Sequence, residues 1–265
     1  MSSNLKIAEQ VFPKGRRSIG WLNAGSFFPN APRDYLRTRV QIPFSVIVGG
    51  VVLDKNVCGG INPAALKKLA RAYPEEMKVV WMPVNDSSFN LEAGGMGRNE
   101  AREKGIYILN GAGTILPEVE EVVNLVAEYG LVLSCGHLSV EEMLPLIDMA
   151  KSVGVKSILV DHPCLETPAA TIDEQKEIAK KGAFLNHAAL EFDTFHNILP
   201  PKEIANSIKQ VGVDHCTLCT DVGLPFMWNP VEAMRILIWY LKICGFSDEE
   251  IKIMDKTNPS KILGI

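Results

Sequence analysis

From residue 44 onward the chain alternates short β-branched runs with amphipathic helical stretches, and no other feature constrains its fold as much. Repeated βα units build a parallel sheet covered by helices. FSVIVGGVVL (44–53) is an apolar run of the kind buried on both faces of a sheet. The helix that follows, in NPAALKKLARAY, has Asn62 placed as its N-cap and Pro63 at its first position. KVVWMPV (78–84) reads as the next strand and ends in the polar tip Asn85, Asp86, Ser87. A Gly-rich connection, a small hairpin in GIYILNGAGTILPE and a helix in PEVEEVVNLVAEYG, closed by Gly130, come next. Four cleaner strands then recur: LVLSCGH (131–137), SILVDHP (157–163), AFLNHA (183–188) and CTLCTDVG (216–223). Each is followed by a helix, the first of which opens on a capping box of Ser139 and Glu142. The series predicts an α/β, TIM-barrel-like (β/α) barrel over residues 44–265, preceded by an irregular segment, 1–43.

Length sharpens this expectation. A chain of 265 residues has room for one α/β barrel. Six βα units occupy residues 44–265, and if FSVIVGGVVL is a third strand, two more units need about 60 residues at about 30 each. Only 43 precede it, and PKGRR and FFPNAPRDY within them are loop-like in Pro, Gly and Arg content. SIGWLNAGSFF is the single strand candidate there. The N-terminal segment is therefore expected to replace or truncate strands one and two, leaving a barrel distorted or incomplete at that end. Exposed sheet edges are normally covered by association, which predicts a homo-oligomer.

The formal net charge is -4, with no long run of either sign, which argues against nucleic acid or an anionic membrane as partner and for a small molecule. No run of about 18 apolar residues occurs, and Lys6 and Glu9 interrupt the first ten residues, so neither a membrane span nor a signal peptide is expected. A cytoplasmic location follows as an expectation. The six cysteines are scattered and read as free thiols. Cys216 and Cys219 form a CxxC, but in a strand residues i and i+3 point to opposite faces, so the two sulfurs are not expected to converge.

The four later strands each end in a residue able to bind a metal: His137, His162, His187 and Asp221. Parallel barrel strands present their C-terminal ends on one face, so residues one βα unit apart converge in space. A single strand histidine is more often a hydrogen-bonded core residue than a ligand. Three of the five histidines at equivalent strand ends are hard to ascribe to packing. Imidazole and carboxylate ligands suit zinc, manganese or iron, and three such ligands with an open position acidify water. His187 is a fourth candidate ligand, or a residue that orients substrate. Asn85 and Asp86, at the tip of the preceding strand, are candidate substrate contacts, or an ordinary polar loop tip.

The segments GHLSVEE around His137, VDHP around His162, TDVGLP around Asp221 and the tail GFSDEEIKIMDKTNPSKILGI resemble the amidohydrolase (metal-dependent hydrolase) superfamily of distorted TIM barrels. Within it the chain is similar to an uncharacterised hydrolase-like branch in which GGINP and WMPVND also occur, and the resemblance runs from about Phe44 to the C-terminus. It implies that His137 and His162 are metal ligands and that Asp221 is both a ligand and the general base. His187 matches a histidine of the closer relatives. The pattern departs at the first strand, where the superfamily carries an HxH pair, since residues 1–43 contain no histidine.

The expected function is a zinc, manganese or iron hydrolase cleaving an amide, cyclic amide, ester or lactone bond of a small polar substrate. A metal-dependent decarboxylase or lyase of the same superfamily is the first alternative. The missing HxH pair motivates another, a catalytically degenerate barrel that serves as a binding protein. No strand end supplies an Arg or Lys to hold a carboxylate, which favours hydrolysis over decarboxylation.

Overall fold

The computed structural model describes residues 19–21, 46–192, 199–222 and 229–264. Seven strands are found among them: β1 Ile19–Trp21, β2 Val46–Val52, β3 Met77–Trp81, β4 Val132–Ser134, β5 Ile158–Asp161, β6 Phe184–Ala188 and β7 Cys216–Cys219. They form one sheet in the order β1-β2-β3-β4-β5-β6-β7, and every neighbouring pair is parallel. Consecutive parallel strands linked by helices make a TIM-barrel-like (β/α) fold. The SIGWLNAGSFF segment supplies β1, so FSVIVGGVVL is the second described strand where length alone numbered it third.

The helices are a short turn, α1 (Lys55–Cys58), then α2 (Pro63–Ala72), α3 (Ser88–Ala93), α4 (Arg98–Lys104), α5 (Pro117–Glu128) and α6 (Val140–Ser152). After β5 come α7 (Ile172–Lys180), α8 (Pro201–Val211), α9 (Pro230–Ile243), α10 (Asp248–Lys252) and α11 (Asn258–Leu263). Local chemistry sets their ends as the sequence implies. Asn62 Oδ1 accepts from Ala65 N at 3.0 Å with Pro63 behind it, and Ser139 N and Oγ both donate to Glu142 Oε2, at 3.0 and 2.7 Å. The Gly-rich connection after β3 carries α3 and α4, separated by the Gly94–Gly95 turn, and is thus more ordered than its composition suggests.

Strand alternation divides the core into two layers. Val80, Leu133, Ile158, Val160, Leu185 and Leu218 face outward and pack with Val122 and Val126 of α5, Leu146 of α6, Ile178 of α7 and Ile208 of α8. Val79, Val132, Leu159 and Phe184 face inward, where Ile262 and Leu263 of α11 close the floor. Each such side chain, when fully buried, contributes about 1.5–3 kcal/mol. The two cysteines of the CxxC follow the same rule. Cys216 lies in the outer core, Cys219 lies on the inner face two residues beyond Thr217, and both are free thiols.

Candidate metal centre

At the C-terminal end of the sheet two imidazoles meet. His137, three residues past β4, and His162, one past β5, bring their Nε2 atoms to 3.1 Å of each other, with the rings at 74°. His137 is held from its far side by Asn90 of α3, whose Oδ1 lies 2.9 Å from His137 Nδ1. Asn90 Nδ2 donates to Asn85 O at 3.3 Å, so the amide oxygen faces the ring and His137 Nδ1 must carry the proton. That leaves His137 Nε2 as a bare lone pair aimed at His162. His162 Nδ1 is buried and has no hydrogen-bond partner among the described residues, an arrangement that costs about 1–3 kcal/mol.

Electrostatics act on the first of the two rings. Burial, with a further contribution from His162, holds the His137 imidazole well below its ordinary pKa, so it stays neutral. Asp221, two residues past β7, brings Oδ2 to 3.8 Å from His162 Nε2. Its side chain is 46% exposed, and it does not draw equally close to both histidines, so a three-ligand set needs the carboxylate to swing toward His137. His162 and Asp221 have φ of 32° and 50°, and with Ala169 they are the non-glycine residues of positive φ among the described residues. Such backbone costs of order 1–3 kcal/mol each and is tolerated where the surrounding fold over-determines it.

Close backbone contacts fix this geometry. A Cβ on Gly136 (φ 55°) would lie 2.4 Å from Met82 O and 2.7 Å from Pro83 O, so glycine alone lets the chain after β4 lie against the end of β3. His137 N then donates to Pro83 O at 3.0 Å, and Ser87 Oγ to His137 O at 2.7 Å. Asp54, two residues past β2 and 3% exposed, anchors the β3 tip. Its carboxylate accepts from the backbone N–H groups of Val84, Asn85 and Asp86 at 2.8, 3.0 and 3.2 Å, and from Asn85 Nδ2 at 3.2 Å.

Beneath the histidines an inward-facing polar belt crosses four strands. Ser134 Oγ donates to Asp161, Asn186 Nδ2 donates to Asp161 Oδ1 at 2.8 Å, and Thr217 Oγ1 donates to Asn186 Oδ1 at 2.8 Å. Asp161 and Asn186 each immediately precede a histidine singled out in the sequence, and their inward orientation follows from strand parity alone. Asn90 and Asp54 gave no comparable signal, since both act across sequence separations that only the fold closes.

His187 stands apart from His137, His162 and Asp221. It lies inside β6, one position after inward-facing Asn186, so its ring points outward into the helical layer and is fully buried. There its Nδ1 lies 3.4 Å from Glu191 Oε1 and its Nε2 lies 3.4 Å from Ser207 Oγ of α8. Among the described residues, Cys164, His187 and Glu191 are the group of three ligand types whose donor atoms all lie within 4.8 Å of one another. Asn85 and Asp86 are engaged within the fold: Asn85 bonds to Asp54, and Asp86 Oδ2 accepts from Lys55 N at 2.6 Å. His196 lies outside the described residues.

Solved structures with this fold include an amidohydrolase from Pseudomonas aeruginosa, 12% identical, with a TM-score of 0.56 over 99% of this chain and 83% of that one. An organophosphorus hydrolase from Deinococcus radiodurans is similar at 15% identity and a TM-score of 0.50, over 86% of this chain and 80% of that one. At these identities the likeness is one of fold. No curated protein matches the chain. No described helix is long and apolar enough to cross a membrane. One family model matches residues 24–186, a span that takes in β2 to β5, most of β6, and both His137 and His162; the chain thus belongs to DUF6282, a family of unknown function.

Proposed function

We propose that this protein is a metal-dependent hydrolase acting on an amide, cyclic amide, ester or lactone bond of a small polar substrate, with its centre at His137, His162 and Asp221. The observation that carries this reading is the 3.1 Å approach of the two Nε2 atoms, with the Nδ1 proton of His137 already committed to Asn90. Two imidazole nitrogens bound tetrahedrally to one zinc at about 2.0–2.1 Å stand about 3.3 Å apart, so the pair fits a shared divalent ion. An Nδ1–H donated to a carbonyl oxygen is the usual way a ligating histidine is oriented. Among hydrolases of similar fold are the amidohydrolase and the organophosphorus hydrolase described above.

A zinc, manganese or iron ion bound there supplies Lewis acidity and lowers the pKa of water. The chain does the rest. His137 and His162 would hold the ion through their imidazole nitrogens. Asp221, the more exposed member, accepts the proton of the attacking water and returns it to the leaving group. The inner belt around Asp161 and Asn186 offers hydrogen bonds to the buried end of a polar substrate. With no histidine in residues 1–43, a single two-histidine, one-carboxylate set meets the three-ligand count of a catalytic site.

The test is hydrolysis of a panel of amides, lactones and esters by purified protein with and without added zinc or manganese. His162→Ala is expected to lower activity at least 1000-fold and to remove one bound metal. Full activity in that variant, or in chelator-treated protein, would overturn the proposal.

A further inference from the structure

Cys164 in the loop after β5, His187 of β6 and Glu191 in the turn after β6 lie outside the proposed catalytic centre, on the helix-facing side of the sheet, and hydrogen bonds place the Nε2 proton of the ring between them. Gln175 of α7 donates from Nε2 to Ala170 O at 2.8 Å, so its Oε1 is the atom turned toward Ser207. Ser207 Oγ donates its hydrogen bond to that oxygen. The hydroxyl is then an acceptor toward His187 Nε2, at 3.4 Å, and the ring proton sits on Nε2. His187 Nδ1 is fully buried and has no hydrogen-bond partner among the described residues; burial alone would lower the imidazole pKa, but the Cys164 and Cys216 sulfurs and the Glu191 carboxylate raise it well above its ordinary value, so the site favours a positive charge on this nitrogen.

His187 Nδ1 faces Glu191 Oε1 at 3.4 Å, and the Cys164 sulfur completes a triangle of donor atoms no more than 4.8 Å apart. A buried imidazole nitrogen facing a buried carboxylate needs a cation between them, and a divalent ion can take the place of the His187 Nδ1 proton. Glu191 is itself fully buried and is aimed by Ala188 N, which donates to Oε1 at 2.7 Å, and by Cys164 N, which donates to Oε2 at 3.2 Å. A thiolate and a carboxylate together neutralise one divalent ion, which answers the cost of burying either charge. Half-buried Cys164 gives the site an approach from solvent.

We propose that Cys164 Sγ, His187 Nδ1 and Glu191 form a second divalent-metal site, of zinc type, that ties the end of β6 to the loop after β5, with Ser207 orienting the histidine from outside. A sulfur, nitrogen and oxygen donor set favours zinc over magnesium or calcium. On binding, the Cys164 thiol and His187 Nδ1 would each release a proton to solvent, and the sulfur and the nitrogen would bond the metal as thiolate and neutral imidazole. The site lies only two residues from His162, so its occupancy would stiffen the loop that places a proposed catalytic ligand.

Cobalt(II) added to the metal-stripped full-length protein tests this, because thiolate ligation produces a near-ultraviolet charge-transfer band that a histidine and carboxylate centre lacks. The expected result is a band whose final intensity corresponds to one thiolate-bound cobalt per chain, displaced by zinc, lost in Cys164→Ser and retained in His162→Ala. Ser207→Ala is expected to weaken cobalt binding at this site about 10- to 100-fold. Absence of the band in folded wild-type protein, or its persistence in Cys164→Ser, would overturn the proposal. So would a His187 imidazolium resonance in zinc-saturated protein, which would put a proton where the metal is proposed. Circular dichroism on Cys164→Ser, the mildest of these changes, confirms that loss of the band is not loss of the fold. Loss of hydrolysis in His162→Ala with the band intact separates this site from the catalytic proposal.

Discussion

Asn90 and His137 are joined at 2.9 Å, Oδ1 to Nδ1, so a short helix after β3 sets the tautomer and orientation of an imidazole that emerges from β4. Asn90→Ala removes that acceptor and frees the ring. Zinc affinity at the proposed centre is expected to fall about 10- to 100-fold, as is usual when a ligating histidine loses its outer partner. Asn90→Asp keeps an acceptor in place and is expected to retain most of the affinity. Calorimetric titration of both variants checks this, and equal affinities in Asn90→Ala and wild type would refute it.

Asp54 holds the β3 tip through three backbone N–H groups and the Asn85 amide. Each buried donor stripped of its partner costs about 1–3 kcal/mol, but these donors are only partly shielded from water, so Asp54→Ala is expected to cost about 2 kcal/mol in total. Urea unfolding gives the value. Since Asn90 is bonded to Asn85, the same variant should also weaken zinc binding.

Gly136→Ala places a methyl group 2.4 Å from Met82 O at a residue with φ of 55°. Backbone cannot yield there as a side-chain tip would. A loss of about 1–3 kcal/mol is expected, together with weaker metal binding, because the next residue is His137. Thermal melts and zinc titration measure the two effects. An unchanged melting temperature would mean that the β3–β4 approach is looser than described.

Acid should destabilise the metal-free protein through His137. Its folded pKa is depressed well below 6.5, first by burial and then by His162. Well above pH 6.5 the ring is neutral in both states and contributes no pH dependence. As pH falls below 6.5 the unfolded chain binds a proton that the folded one refuses, so stability declines. His137→Asn is expected to flatten that decline between pH 7 and pH 5 in denaturant unfolding of chelated protein. Superimposable pH profiles of the variant and wild type would assign the acid sensitivity to other groups.

At the far end of the barrel, Ile262 of α11 fills the floor against Val79, Val132, Leu159 and Phe184. Ile262→Ala is expected to cost about 2–5 kcal/mol by unfilled volume. Zinc affinity of the folded variant should be unchanged, since the histidines sit past the opposite ends of the strands. A loss of affinity matching the loss of stability would show that floor and mouth are coupled.

The sequence by itself determined the βα alternation, the strand and helix positions and several helix caps, because side-chain periodicity and capping are local properties. It also pointed to His137 and His162, which follow their strands by three residues and by one and so bring their Nε2 atoms together at the sheet's C-terminal end. Tertiary structure decided the rest. His187 looked equivalent by spacing, but β6 runs on past it, and one residue of strand parity turns it into the helical layer beside Cys164 and Glu191. Asn85 and Asp86 read as candidate substrate contacts or as a polar loop tip, and only the fold brings Asp54 and Lys55, 31 residues earlier, against them. Periodicity shows which way a side chain points only when the last residue of a strand is known, and partners far apart in the chain meet only when the sheet forms.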